Sequence, residues 1–210
     1  MQILNNISEL LQKGKAKDVK VLIQEALDKG IIPNDILNEG LIAGMSIIGE
    51  KFKNNEVYVP EVLIAARAMN AGLEVLKPAL KKSGVEPIGR AIICTVKGDL
   101  HDIGKNLVKM MIEGQGIECI DLGVDASGSN IVDAIIKYNP QIVCLSALLT
   151  TTMMAQKDII LAITKAGLRD KVKIMVGGAP VTQDFAQQIG ADLYSPDAAS
   201  AATLARSLYK

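Results

Sequence analysis

The residue best suited to carry chemistry is His101, the one histidine among 210 residues. It follows an apolar run, and Asp99 stands two positions before it. A neutral imidazole binds a metal through one ring nitrogen while the other donates to a carboxylate that orients the ring. The Asp99–His101 pair therefore predicts an axial metal ligand with its supporting carboxylate. The plainer alternative is that His101 only caps a helix or completes a loop.

Protein side chains alone could not hold such a metal. The chain has no second histidine, and Cys94, Cys119 and Cys144 lie far apart, each inside an apolar run. We interpret all three as buried core thiols, because free cysteine is among the most often buried residue types. A metal at His101 would then need a cofactor that brings its own equatorial ligands, as a tetrapyrrole-like ring does.

A phosphate-binding loop is one alternative for the same segment. Five residues separate Gly98 from Gly104-Lys105 where the phosphate-binding motif has four, and Asn106 stands where that motif needs a Mg²⁺-binding Ser or Thr. Because the spacing decides which backbone N–H groups face a phosphate, the mismatch disfavours a nucleotide-binding protein without removing it as an alternative.

A hydrolase is a second alternative, with Asp99, His101 and Ser146 as its triad. The chain has no Gly-x-Ser-x-Gly turn of the kind that exposes a nucleophilic serine. Triads are recognised by geometry, which the sequence does not show, so this interpretation also stays open.

The second half of the chain must position these residues, and it alternates between strand-like and helical patterns. Strands are predicted from short apolar runs at residues 91–96, 117–122, 142–145, 174–176 and 192–194. Apolar strands that alternate with helices indicate a parallel sheet covered on both faces. We therefore predict a five-stranded flavodoxin-like or Rossmann-like α/β domain over residues 88–210, with ligands at the carboxyl ends of its strands.

The first half has a helical period. Apolar residues recur at steps of three and four from Val62 to Leu80 and again from Ile36 to Phe52, after Pro33. Two shorter amphipathic stretches precede them, at residues 3–11 and 19–27. Four helices with short turns predict a small four-helix bundle over residues 1–83.

Glycines and a polar segment add detail to this helical half. Gly40, Gly44, Gly49 and Gly72 fall inside the helical patterns, where they either allow close helix packing or form a small-residue surface against a flat ligand; we expect packing. The segment Lys81–Pro87 breaks the pattern and is predicted as a linker between the two domains.

Composition excludes several classes of protein. Lysine plus arginine and aspartate plus glutamate both total 23, so no net basic charge favours nucleic acid or a membrane surface. Aromatic residues make up 3% of the chain, too few for a base-stacking platform. We also see no signal-peptide pattern and no apolar run of membrane-spanning length. We expect a cytoplasmic protein with no nucleic-acid or membrane partner.

Three motifs occur in order on the predicted loops: Asp99-x-His101-x-x-Gly104, Ser146-x-Leu148 and Gly177-Gly178. Together they closely resemble the cobalamin-binding domain of corrinoid proteins and methionine synthase. The helical half, with Glu50-Lys51-Phe52 and Val59-Pro60-Glu61, looks like that family's helical cap. The whole chain is similar to the small corrinoid proteins of methyltransferase systems for methanol, methylamines, glycine betaine or aryl methyl ethers.

The resemblance implies a cobalamin or related corrinoid bound base-off, which means that its own benzimidazole base is displaced from cobalt. His101 would be the lower axial ligand, supported by Asp99 and by Thr152, where methionine synthase has a serine. The displaced nucleotide tail would enter a slot lined by small residues. The cofactor-binding residues implied in this way are Asp102, Ile103, Gly104, Ser146, Leu148, Thr150, Gly177, Gly178, Ala179, Tyr194, Asp197 and Ala198.

The implied function is that of a corrinoid methyl carrier, not catalytic alone, that shuttles a methyl group on cobalt between the Co(I) and methyl-Co(III) states. Its partners would be a substrate-specific methyltransferase and a reductive activase. A second methyltransferase would pass the methyl group to tetrahydrofolate, tetrahydromethanopterin or a thiol. Two alternatives share the motifs: a cobalamin-dependent sensor, which would need an output domain, and a mutase cofactor subunit, which typically lacks the helical cap.

Overall fold

The computed structural model describes residues 2–209, and the chain divides into two compact units. The first holds the residues up to Pro87 together with Gly114–Gly116, and the second holds Ile88–Glu113 and the residues from Ile117 onward. None of the helices in residues 2–209 is both long and apolar enough to cross a membrane.

The first unit is helical, as predicted. Its helices are α1 (Gln2–Gln12), α2 (Ala16–Asp28), α3 (Pro33–Asp35), a π-helical segment (Ile36–Ile42), α4 (Ala43–Lys53) and α5 (Val59–Lys82). Helical backbone angles continue through the junctions at Ile36 and Ala43, so α3, the π-helical segment and α4 follow one another without a break. They correspond to the third of the four predicted helices.

Glycine allows the close packing of these helices. A Cβ atom on Gly72 of α5 would lie 2.8 Å from Ile23 of α2 and 2.9 Å from Leu41 of the π-helical segment. A Cβ atom on Gly40 would lie 3.1 Å from Ile7 of α1. Since real Cβ atoms rarely come so close, a larger side chain at either position would push the helices apart. The predicted packing role of these two glycines is confirmed.

The predicted linker begins too early. Helix α5 continues through Lys82, and the amide of Ser83 still donates to the carbonyl of Ala79 at 3.0 Å. Two lysines near a helix C-terminus are favourable to the helix dipole and give no reason to stop. The first residue that ends the helix is Gly84, which takes a left-handed conformation with φ +70°. Assigning Lys81 and Lys82 to the linker was therefore wrong.

The second unit is a parallel α/β fold. Its elements are β1 (Arg90–Thr95), α6 (Ile103–Glu113), β2 (Glu118–Asp121), α7 (Gly128–Tyr138), β3 (Ile142–Ser146), α8 (Met154–Lys165), a 3₁₀ turn (Arg169–Lys171), β4 (Lys173–Gly177), α9 (Gln183–Ile189), β5 (Leu193–Tyr194) and α10 (Ala198–Ser207). The strand order is β2-β1-β3-β4-β5 and every pairing is parallel, which confirms the five-stranded sheet.

Alternate residues of the strands point to opposite faces of the sheet. Ile92, Val143 and Val176 face a core completed by apolar residues of α7, α8 and α9. Their neighbours face the other way, toward the side on which α6 and α10 contact each other. The order reverses between β1 and β3, so the carboxyl ends of these two central strands open a crevice of the kind that binds ligands in such folds.

The cysteines follow strand position. Cys94 and Cys144 lie in the central strands β1 and β3 and are buried, as predicted. Cys119 lies in β2, at the edge of the sheet, and is only partly buried, so the prediction of a buried thiol was wrong there. An edge strand has a neighbour on one side only, which leaves its side chains less covered.

Candidate functional site

The register of β1, β3 and β4 brings the three motifs together at the carboxyl ends of these strands. Thr95 at the end of β1 pairs with Ser146 at the end of β3, and Ser146 pairs with Gly177 at the end of β4. The loops that follow these strands therefore start from adjacent positions. The loop after β1 carries His101, the loop after β3 carries Thr152, and the loop after β4 carries Gly178.

The imidazole of His101 is held by Asp99. The Nδ1 atom lies 2.7 Å from Oδ1 of Asp99, and the His101 backbone N–H donates to the same oxygen at 3.0 Å. The histidine side chain remains 52% exposed, whereas that of Asp99 has no exposed surface. One side of the ring is thus tied to a buried carboxylate, and the other is open.

The other Asp99 oxygen is held by the loop after β3. Its Oδ2 accepts from the Thr152 hydroxyl at 2.7 Å and from the Leu148 backbone N–H at 2.8 Å. Burial alone would raise the pKa of this carboxyl, but the hydrogen bonds from Thr152, Leu148 and His101 outweigh burial, and the pKa lies well below its usual range. Asp99 is therefore ionised at neutral pH.

An ionised Asp99 determines which nitrogen of His101 is available. A carboxylate has no proton to donate, so Nδ1 of the ring must carry the hydrogen in the 2.7 Å contact. In a neutral ring the lone pair then lies on Nε2, on the exposed side. The geometry therefore presents a single imidazole nitrogen as a ligand, with its orientation set by the carboxylate.

Gly177 and Gly178 lie where the backbone after β4 passes close to the backbones at Ala147 and Ser195. Gly178 has φ +123°, and a Cβ atom on it would lie 1.8 Å from the carbonyl oxygen of Ala147. A Cβ atom on Gly177 would lie 3.0 Å from the carbonyl oxygen of Ser195. Nearby, Asp197 caps α10 by accepting from the backbone N–H of Ser200 at 2.8 Å. These contacts require glycine at Gly178 whatever ligand the edge binds.

An apolar, exposed surface surrounds His101. Ile103 is 81% exposed, Leu100 71% and Leu148 42%; the first two are within two residues of His101, and the third donates its backbone N–H to Asp99. Gly104, in the first turn of α6, has no other atom within 4 Å of where its Cβ would be. A flat, largely apolar ligand centred on His101 would find both contact area and clearance here.

The remaining predicted site residues differ in position. Asp102 accepts from the Asn106 side chain at 3.1 Å and is exposed, as are Thr150 and Ala179. Ala198 is buried at the start of α10. Tyr194 packs against the core on the α7, α8 and α9 side, so the structure does not group its side chain with the loop residues around His101.

A buried ion pair beneath the loop was missed from the sequence. The Lys105 side chain is 3% exposed, and its Nζ lies 2.7 Å from both carboxylate oxygens of Asp121 at the end of β2. Lys109 adds a contact of 3.4 Å to the same carboxylate. Lys105 stands seven residues before the buried Ile112, two turns along the same helix face, and this spacing was the available signal. Because Lys105 is paired with Asp121, it is not placed to bind a phosphate, and this disfavours the phosphate-binding-loop alternative.

The side chains around His101 offer a metal one imidazole nitrogen on the exposed side of the ring. Within residues 2–209, no cluster of three or more His, Cys, Asp or Glu side chains could hold a metal ion. His101 offers one nitrogen, and the surface around it is apolar. This combination suits a macrocyclic metal cofactor, whose ring supplies the equatorial ligands and leaves one axial position for the imidazole.

Comparison with known families places both units. Residues 89–203 match the B12 binding domain, and residues 3–77 match a second family model described by the same words. The monomethylamine corrinoid protein 2 of Methanosarcina acetivorans is 45% identical over 193 residues, covering 90% of this chain and 89% of that protein. The trimethylamine corrinoid protein of Methanosarcina barkeri is 46% identical over 176 residues, covering 83% and 81%.

Solved structures agree with these matches. A chain of the methanol:cobalamin methyltransferase complex from Methanosarcina barkeri superposes with a TM-score of 0.88 at 30% identity, covering 99% of this chain and 80% of that one. A cobalamin-binding protein from Desulfitobacterium hafniense gives a TM-score of 0.82 at 30% identity, covering 99% and 98%. By its sequence relatives, its fold and the motifs at the edge of its sheet, this chain belongs to the family of B12-binding corrinoid proteins.

Proposed function

We propose that this chain holds a corrinoid base-off, with Nε2 of His101 as the lower axial ligand of cobalt. The observation that carries the proposal is the buried, ionised Asp99, which accepts from Nδ1 of His101 and turns Nε2 outward. Thr152 supports this arrangement by donating to the same carboxylate at 2.7 Å. A metal-bound imidazole typically donates its other N–H to a carboxylate in this way.

The displaced nucleotide tail would lie where side chains are missing. Gly177 and Gly178 carry no side chains at the end of β4, and Ser146 at the end of β3 offers a hydroxyl beside Gly177. The apolar face of the ring would rest on Ile103 and Leu148. We assign the remaining predicted contacts, from Asp102, Gly104, Thr150, Ala179, Tyr194, Asp197 and Ala198, to the same cofactor.

When bound, the cofactor supplies a cobalt centre that can accept and release a methyl group. The chain's part is to orient it through His101, whose ring is turned by the contact between Nδ1 and the Asp99 carboxylate. We assign this task to residues 88–210, with residues 1–83 as a helical cap. Because the relatives are named as corrinoid proteins, we propose a carrier subunit.

As the methyl donor, we propose methylamines. The support is that the relatives at 40–46% identity are monomethylamine and trimethylamine corrinoid proteins, whereas the matching methanol complex chain is 30% identical. The partners proposed are a methylamine-specific methyltransferase, a second methyltransferase that removes the methyl group and a reductive activase.

The first test is corrinoid retention. The purified chain is incubated with hydroxocobalamin and desalted beside a His101→Ala variant, and visible spectra are recorded. We expect one corrinoid retained per chain and a spectrum that changes when the imidazole is removed. Retention with identical spectra would contradict the role of His101, and no retention by the unaltered chain would contradict the carrier function.

The second test concerns the methyl donor. The loaded, reduced chain is given a methylamine-specific or a methanol-specific methyltransferase with its substrate, and loss of the reduced-corrinoid absorption is followed. We expect turnover with the methylamine system. Turnover with methanol alone would show that the donor class is wrong while leaving the carrier function in place.

A further inference from the structure

Thr95 holds the backbone of His101 from inside the sheet. Its hydroxyl donates to the His101 carbonyl oxygen at 2.8 Å, and the Thr95 residue has no exposed surface. Its own backbone is tied on the side of β2: its N–H donates to Gly123 at 2.9 Å, and its carbonyl accepts from Ala126 at 3.0 Å. The position of Thr95 is therefore fixed by the sheet, and its hydroxyl holds the His101 carbonyl through a hydrogen bond.

Asp125 holds the other arm of the same loop. Its side-chain Oδ1 accepts from the Gly98 backbone N–H at 2.7 Å, and its backbone N–H donates to the Asp99 carbonyl at 3.1 Å. Asp125 adopts φ +54°, a left-handed conformation that aspartate tolerates better than most residues. The next residue, Ala126, forms a parallel bridge with Val96, so this anchor is also attached to the sheet.

The ring and the backbone of His101 are thus held by different groups. Asp99 determines how the ring is turned and links His101 to the loop after β3, but it contacts neither the His101 carbonyl nor the Gly98 arm of the loop. Thr95 and Asp125 lie outside that loop and contact it at His101, Gly98 and Asp99. Without them, the loop would be held through Asp99 alone, and the position of the imidazole would vary more.

Resting on the proposed function, we propose that Thr95 and Asp125 are positioning residues for the axial ligand. They keep Nε2 of His101 at one place relative to the sheet edge, where the cofactor's nucleotide tail would also be held. A macrocycle anchored at both its metal and its tail requires a defined separation between the two anchors, and small displacements of a ligand weaken its bond.

The test uses the hydroxocobalamin-loaded full chain and measures the rate of corrinoid dissociation. Thr95→Val removes the hydroxyl but keeps the branched shape, whereas Thr95→Ser keeps the hydroxyl. Loss of one buried hydrogen bond predicts dissociation that is about 3-fold to 10-fold faster in the valine variant. The serine variant should stay within about twofold of the unaltered chain, since its donor remains.

A double-mutant cycle separates positioning from general support of the slot. If Thr95 acts through His101, Thr95→Val should have no further effect in a His101→Ala background. The same fold-change in both backgrounds would overturn the proposal, because Thr95 would then support the slot and not the ligand. An unchanged dissociation rate in the single valine variant would also overturn it.

Asp125 gives a second, independent pair of variants. Asp125→Gly removes the carboxylate and keeps a residue that accepts φ +54°, so backbone strain is not introduced. Asp125→Asn keeps an oxygen acceptor at the same place. We expect faster dissociation for glycine and rescue by asparagine, with the exposed Asp133→Ala on α7 as the control that changes charge alone. Failure of asparagine to rescue would overturn the assignment.

Failure of this inference can be told apart from failure of the proposed function. If the unaltered chain does not retain corrinoid, the proposed function fails, and positioning is then judged in the cofactor-free chain. There, amide hydrogen exchange at Gly98, whose N–H donates to Asp125, should quicken in Asp125→Gly and be restored in Asp125→Asn. An exchange rate in Asp125→Gly equal to that of the unaltered chain would overturn the proposal, whichever cofactor the site takes.

Discussion

Replacing Thr152 by valine tests whether the Asp99 carboxylate is stabilised by its hydrogen bonds. Valine has nearly the shape of threonine, so the buried site stays filled and only the hydroxyl is lost. In the structure this hydroxyl is 2.7 Å from Oδ2 of Asp99 and 3.0 Å from the carbonyl of Leu149. Its single proton goes to the closer, charged oxygen. Thr152→Ser, which keeps the hydroxyl, is the matched control.

The expected cost follows from the contacts that remain. Hydrogen bonds to charged groups contribute about 1.5–3 kcal/mol. Asp99 would keep three donors, from Leu148 and from the backbone and ring of His101. We therefore expect Thr152→Val to lower the free energy of unfolding by about 2 kcal/mol at neutral pH. For a chain of this size, that corresponds to about 4–8 °C in Tm.

The pH dependence gives a second check with a definite sign. The pKa of Asp99 is lowered in the folded chain, so its interactions stabilise the fold above the unfolded-state pKa of about 3.9. That stabilisation is lost as the pH falls through the folded-state pKa. Removing the Thr152 hydroxyl raises the folded-state pKa, so the valine variant is protonated first on acidification. The difference in the free energy of unfolding between the unaltered chain and Thr152→Val should be constant near neutral pH and should become smaller below about pH 4.

The assay is urea unfolding of the cofactor-free chain, repeated across this pH range. The reasoning would be refuted if Thr152→Val unfolded with the same free energy as the unaltered chain at neutral pH. It would also be refuted if Thr152→Ser lost as much as the valine variant, because the hydroxyl would then not be the cause. A gap that widened on acidification would show that the carboxyl is not ionised.

Three other predictions concern Gly178, Lys105 and Cys94. Gly178→Ala should lower the free energy of unfolding by more than about 3 kcal/mol, because its Cβ would lie 1.8 Å from a carbonyl oxygen. Gly190→Ala, which has φ +79° and open space, should cost only about 1–2 kcal/mol, and equal losses in thermal unfolding would contradict this. Lys105→Met should cost about 3 kcal/mol in urea unfolding by leaving Asp121 without its closest cation, and a neutral effect would show that Lys109 suffices. Iodoacetamide should label Cys94 far more slowly in the folded chain than in urea, because burial raises the pKa of its thiol to about 12, and equal rates by mass spectrometry would contradict this.

The sheet and the Asp99–His101 pair could be predicted from the sequence because each depends on residues that are close together in the chain. An apolar run such as residues 91–96 is long enough for a buried strand, and a lone histidine two residues from an aspartate is conspicuous. The alignment of Thr95 with Ser146 and Gly177 was not predictable, because the register between parallel strands depends on how crossover helices pack. Asp125 was missed for a similar reason, since its role depends on a left-handed backbone that the residue type permits but does not require.

The distribution of polar groups also explains why the sequence indicated His101 more clearly than it indicated the residues that hold His101 in place. The donors that reach the Asp99 carboxylate and the His101 backbone come from β1 and from the loops after β1 and β3, and the Nε2 side of His101 is turned outward. A site whose own side chains performed the reaction would expose several such groups at one place. Here the hydrogen-bonded residues around the loop immobilise a single imidazole, which would suit a protein whose bound cofactor performs the reaction, as proposed above. Under the proposed function, Thr95 and Asp125 would contribute by holding the loop that carries His101 in place.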